Sequence, residues 1–151
     1  MTTIAASTLT RTRPRRLLRS AAAVFLGFIS VAVLSLATDQ VLHVLEVYPP
    51  WGQPMWDPGL NLLALSYRLL YTVLGGYITA SLAPRSPMRH VAVVGLLGFI
   101  AGSAGAIVAM RLANLGPNWY PITLAVTAFP TVWLGGVLHG VWPLTRARQA
   151  T

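Results

Sequence analysis

An arginine set inside an apolar run is the residue with the most chemistry to explain. Arg68 lies in the stretch from Leu60 to Ala83, which has no other charge. It is about 12 Å from the nearer end of that run if the run is helical. A guanidinium that deep in hydrocarbon costs on the order of 2.5 kcal/mol or more unless it is paired or reaches back to water. Thr72, Gly75 or Gly76, and Thr79 continue its face at helical spacing, which points that face at other helices and not at lipid. Two acids are candidate partners: Asp39, at the end of the preceding apolar run, and Asp57, just before its own. Three readings stay open: an Arg68–Asp39 clamp joining two spans, an anion or headgroup contact in an outward-facing cavity, and snorkelling without a partner.

A second polar set is Asp39, His43 and Glu46, which fall on one face of a helix at i, i+4 and i+7. Carboxylates and imidazole suit several divalent ions. Two acids and a lone histidine match no metal-site spacing, and an amphipathic helical extension with a wet polar face explains the same pattern. Ser103 and His139 are the one serine–histidine pair that resembles an intramembrane hydrolase dyad. They fall at different depths in their spans, so the base is out of reach of the nucleophile. With no cysteine there is no thiolate chemistry and no disulfide framework. No acid falls inside the expected spans, which argues against a proton relay of the small multidrug-antiporter kind. The expectation is no catalytic residue, no metal and no cofactor.

The elements that must position these residues follow from composition. Among 151 residues, hydrophobic types make up 55%, charged types 9%, and the mean hydropathy is +0.64. A water-soluble domain carries about a quarter charged residues. Four runs reach the length of a membrane helix. They are expected at about 20–38, 60–83, 91–111 and 121–142, within a membrane domain over 17–143. Val41, Leu42, Val44 and Leu45 continue the first stripe outward past Ala37, which favours an uncleaved helix over a signal peptide ending at Ser35-Leu36-Ala37. The prolines of Tyr48–Gly59 end that extension. Pro130 should kink the fourth span and free the Val126 carbonyl. Residues 1–16 are expected to be a disordered basic arm, and 144–151 a basic tail after closure at Trp142-Pro143.

Charge gives the orientation. All eleven basic residues are arginine, and nine fall in clusters at residues 11–19, 85–89 and 146–148. All three acids lie between the first two spans. Alternating sides puts every cluster on one face and every acid on the other, so the positive-inside rule makes both termini cytoplasmic. The net charge of +8 is then read as contact with anionic lipid headgroups rather than nucleic acid. Arginine without lysine, with abundant Ala, Gly and Leu, points to a GC-rich bacterial genome and hence to a cytoplasmic (inner) membrane.

Small residues predict how the helices meet. Gly98 and Gly102 in span three, and Gly136 and Gly140 in span four, form small-xxx-small faces that let backbones approach. Bundle packing and a homo-oligomer seam both use such faces. Leu26-Gly-Phe-Ile29 recurs as Leu97-Gly-Phe-Ile100, and Leu74-Gly-Gly76 as Leu134-Gly-Gly136, at offsets of 71 and 60 residues. A duplication of that kind would give two parallel helical hairpins related by an axis along the membrane normal.

Seven segments carry a resemblance: Asp39-x-x-Leu42, Val47-Tyr-Pro-Pro50, Tyr67-Arg68, Leu74-Gly-Gly-Tyr77, Leu82-Ala-Pro84, Gly116-Pro-x-Trp-Tyr-Pro121 and Trp133-Leu-Gly-Gly136. Together they resemble a group of small bacterial four-span integral membrane proteins, over about residues 20–140. The resemblance implies the four-span architecture and directs attention to the loops; it brings no activity with it. The expected fold is therefore an all-α transmembrane four-helix bundle, N-in and C-in. The expected role is a non-enzymatic accessory or interaction protein, with a membrane partner protein or a second copy as its partner. The alternative is a small oligomeric transporter or channel with an arginine-centred outward-facing site.

Overall fold

In hydrocarbon, four apolar runs can satisfy their own backbones only as helices or as a closed barrel. In the computed structural model, which describes residues 13–149, the runs form helices α1 (Arg13–Val44), α2 (Pro58–Leu82), α3 (Pro87–Val108) and α4 (Trp119–Gln149). Each contains a stretch long and apolar enough to cross a membrane. No strand occurs among the described residues. The exposed apolar side chains, such as Phe25, Leu36, Leu70 and Ile100, are what lipid would cover.

Local chemistry sets the helix ends. Pro58 and Pro87 occupy first-turn positions, where a missing N–H is harmless. Asp57 caps α2 by accepting from the Leu60 N–H at 3.0 Å. At the end of α1, Glu46 adopts φ 56°, with Val47 N–H donating to the Leu42 carbonyl at 3.0 Å and Glu46 N–H to that of His43 at 3.1 Å. That is a Schellman closure with glutamate in the left-handed position usually given to glycine. A π-helical turn, Ala109–Ala113, ends α3.

Two boundaries differ from expectation. The arm was expected to be disordered through residue 16, yet α1 begins at Arg13, with Pro14 in its first turn. Residues 1–12 of the arm lie outside the described residues. Helix α4 does not close at Trp142-Pro143 but continues through it to Gln149, into the expected tail. A proline removes one N–H and frees one carbonyl, which an otherwise continuous helix between others tolerates. The same holds at Pro130, where α4 is also unbroken and the Thr127 and Thr131 hydroxyls bond back to the carbonyls of Thr123 and Thr127 at 2.6 and 2.7 Å.

Around the bundle the helices follow the order α1, α2, α4, α3. The widest interface is α2 on α4, flanked by α3 on α4 and α1 on α2, while α1 only grazes α3 and forms no packed interface with α4. The start of α1, the end of α4 and the α2–α3 turn share one end, the terminal end; the α1–α2 and α3–α4 loops share the other, the loop end. The buried centre is Ala80, Val91, Val94 and Val132. At the α2–α4 contact the approach is reciprocal: a methyl at Gly76 would strike the Val132 carbonyl, and one at Gly135 the carbonyl of Val73.

The hairpins α1–α2 and α3–α4 both form, but the repeated motifs do not occupy equivalent positions. Gly27 faces Gly75 and Thr79, so the repeat would set Gly98 opposite Gly135 and His139; Gly98 instead lies beside Ala128. Of the four glycines expected to pack, a Cβ at Gly102 would stand 3.2 Å from Ala125 and one at Gly136 2.9 Å from Val91, whereas one at Gly98 would make only an ordinary 3.8 Å contact with Ala128. A side chain at Gly140 would meet nothing among the described residues. The spacing is right for a small-residue face, but which face is buried depends on how the helices rotate against their neighbours.

Candidate functional site

The polar site rises from the α1–α2 interface. These helices touch backbone to backbone where Gly27 meets Gly75, and a methyl at Gly27 would also collide with the Thr79 hydroxyl. This approach brings polar side chains nearer the loop end into register. Thr38 and Tyr71 join their hydroxyls at 2.9 Å. Next to Thr38, Asp39 accepts from the Tyr67 hydroxyl with one carboxylate oxygen and from the Arg68 guanidinium with the other.

The clamp reading of Arg68 is therefore the arrangement present, with Asp39 and not Asp57 as the partner. Asp57 is exposed and spent on its helix cap. Asp39 is only 5% exposed. Because α1 runs on to Val44, Asp39 sits within the helix rather than beyond the end of a span. Asp39 thus falls in a helix long and apolar enough to cross a membrane. An aspartate shared between a tyrosine hydroxyl and an arginine is what makes burying the charges tolerable.

The network extends into the first loop. Tyr67 spends its proton on Asp39, so Tyr48 donates to Tyr67 at 3.3 Å; Tyr48 also lies 3.4 Å from the Leu60 carbonyl. Burial raises the Tyr48 phenol above its ordinary range. The loops are tied together above this layer. Met55 N–H donates to the Leu115 carbonyl at 2.8 Å, and buried Asn61 donates from Nδ2 to the carbonyls of Met55 and Asp57 at 2.9 and 2.8 Å. Gly116 is needed there, because a Cβ would stand 2.5 Å from the Met55 carbonyl oxygen.

Two cavities share the ion pair as a wall. One of about 240 Å³ lies under the loops, between Asp39, Arg68, His43, Tyr48, Trp51 and Tyr120. The other, of about 360 Å³, lies deeper in the bundle among Phe28, Ala32, Gly98, Leu124 and Ala128, again with Asp39 and Arg68 at its edge. The second exists because α1 does not pack on α4.

His43 and Glu46 do not join Asp39 as a set. The Schellman turn takes Glu46 off the helix face and into the open. His43 packs its ring on Trp51 at 4.0 Å between centroids and edge-on to Tyr48 at 5.5 Å. Its Nδ1 is buried without a hydrogen-bond partner among the described residues. The face expected to be wet is thus an aromatic pocket wall, and among the described residues no three His, Asp or Glu side chains converge as a metal site would need. The residues that sequence reasoning passed over as site members are Tyr48, Tyr67, Tyr71 and Asn61. Their signal was available in part: Tyr67 and Tyr71 lie at i and i+4 on the arginine face of α2. Compared with models of known families, with curated proteins and with solved structures, the chain matches none.

Proposed function

We propose that this chain is a non-enzymatic membrane protein that acts by contact through its loop end, as an accessory or interaction subunit. The observation that carries the reading is that its strongest polar groups are spent on its own architecture. Asp39 takes Tyr67 and Arg68, Asp57 caps α2, and Asn61 ties the first loop to its helix. What the loop end offers outward is a braced cap with exposed Trp51 and Trp56. Exposed aromatics on a held scaffold suit docking to another membrane protein at the interface. The setting proposed is a bacterial cytoplasmic membrane with both termini cytoplasmic. It is supported by exposed Arg15, Arg16, Arg19, Arg85 and Arg89 gathered at the terminal end, where they would also meet anionic headgroups.

Native mass spectrometry after gentle extraction from the source membrane tests this. A stoichiometric second protein, released by Trp51→Ala with Trp56→Ala, is the expected result, and a bare monomer overturns it. One observation favours the runner-up, a small oligomeric transporter centred on Arg68: the ion pair walls two cavities. Against it, the centre toward the terminal end is filled by Ala80, Val91, Val94 and Val132. A homo-oligomer in which a folded Arg68→Ala variant loses solute flux would establish that second reading instead.

A further inference from the structure

The cavity inside the bundle and the cavity under the loops differ in kind, and Arg68 lies at the edge of both. The deeper one is walled almost wholly by aliphatic and aromatic carbon, with Phe28, Ala32, Leu124 and Ala128 around it. It reaches the flank of the bundle at Leu36 and Ala101, both exposed, on the side where α1 barely meets α3. The upper one is polar at its floor and lined with aromatic rings. Hydrocarbon below and hydrogen-bonding groups above follow the order of a lipid lying in the leaflet at the loop end.

Arg68 supplies the head-binding chemistry. A guanidinium has five N–H donors and no acceptor. One terminal nitrogen reaches Asp39, while Nε is buried and finds no hydrogen-bond partner among the described residues. Nε offers no surface to an incoming oxygen, but the side chain keeps 27% of its surface exposed, and its other terminal nitrogen has no hydrogen-bond partner among the described residues. Asp39 meets only one of the Arg68 nitrogens, its second oxygen being turned to Tyr67. An oxyanion such as a phosphate or carboxylate fits, since guanidinium groups bind such oxygens in pairs.

We propose that the bundle binds one single-chain amphiphile with an oxyanionic head, its head oxygens on Arg68 and its hydrocarbon chain in the cavity between α1, α3 and α4. The cavity volume of about 360 Å³ falls within the range of small-molecule sites, about 300–1,000 Å³, and suits one chain better than two. The proposal goes beyond a docking role at the loop end and stands whether or not a partner protein binds there.

The test is native mass spectrometry of delipidated protein held in amphipol and titrated with three probes. Lysophosphatidylglycerol carries head and chain, glycerol 3-phosphate the head alone, and a monoacylglycerol of equal length the chain without charge. The expected result is one saturable lysophosphatidylglycerol per chain, at least tenfold tighter than either of the others. Arg68→Gln should bring lysophosphatidylglycerol down to the affinity of the monoacylglycerol. Ala32→Leu leaves the ion pair alone and fills the lower cavity. It should weaken binding at least tenfold while helicity and melting temperature stay at the parent values, so the test survives if Arg68→Gln fails to fold. Glycerol 3-phosphate binding as well as lysophosphatidylglycerol would mean a free-anion site and overturn the proposal. So would undiminished binding by folded Ala32→Leu, or adducts that never saturate.

Discussion

Where α1 and α2 meet toward the terminal end, Gly27 lies against the backbone of Gly75 and the buried Thr79. Toward the loop end the same two helices are joined by Thr38 to Tyr71 and by Asp39 to Tyr67 and Arg68. The first contact is van der Waals packing between small residues, which is what remains when lipid is as apolar as the side chains it would replace. The second is hydrogen bonding and charge, made tolerable by mutual pairing in a medium that punishes any unpaired member. The difference teaches where such a bundle can hold space. Close backbone contact leaves none, while the polar pair borders a cavity on each side.

The comparison can be broken most severely at the charges. Asp39→Ala leaves Arg68 buried alone and should cost about 3–5 kcal/mol, read as loss of folded protein in detergent unfolding. Replacing both by apolar residues of similar volume, Asp39→Leu with Arg68→Met, should recover most of that loss; if the double variant is no better than the single, the pair is not an isolated clamp. In the α2–α4 interface, Gly135→Ala drives a methyl into the Val73 carbonyl and should cost about 1–3 kcal/mol, because neither backbone can step aside without opening that interface. A smaller change, Tyr67→Phe, removes the bond to Asp39 and the longer one from Tyr48 while Arg68 stays on Asp39. About 0.6 kcal/mol, and at most about 1.7, is expected from bonds of this kind between membrane helices. The smallest effect is expected at Gly140→Ala, where no described atom lies within reach. A melting temperature unchanged or slightly raised would agree with the gain in helix propensity, and a large drop would place a hidden contact there.

The helices, their approximate ends and the common end of the α1 start and the α4 end follow from residue order alone. Hydrocarbon leaves the backbone of an apolar run little choice but a helix, and the prolines at 58, 84 and 87 mark where runs start or stop. Pro143 is the exception, because inside an established helix a proline removes one bond without ending the rest. Asp39 could be nominated as the partner of Arg68 from sequence, since depth and charge narrow the choice to two acids. Selecting it over Asp57 took the tertiary fold, in which Gly27 and Gly75 bring α1 and α2 close enough to set the register and Asp57 turns back on its own helix. The same is true of which glycines are buried, of the loss of Glu46 from its expected face to a left-handed turn, and of both cavities. A helical period fixes which residues share a face, but the rotation of each helix about its axis is decided by its neighbours. The gap between α1 and α4 belongs to no single segment; it exists only when all four are packed.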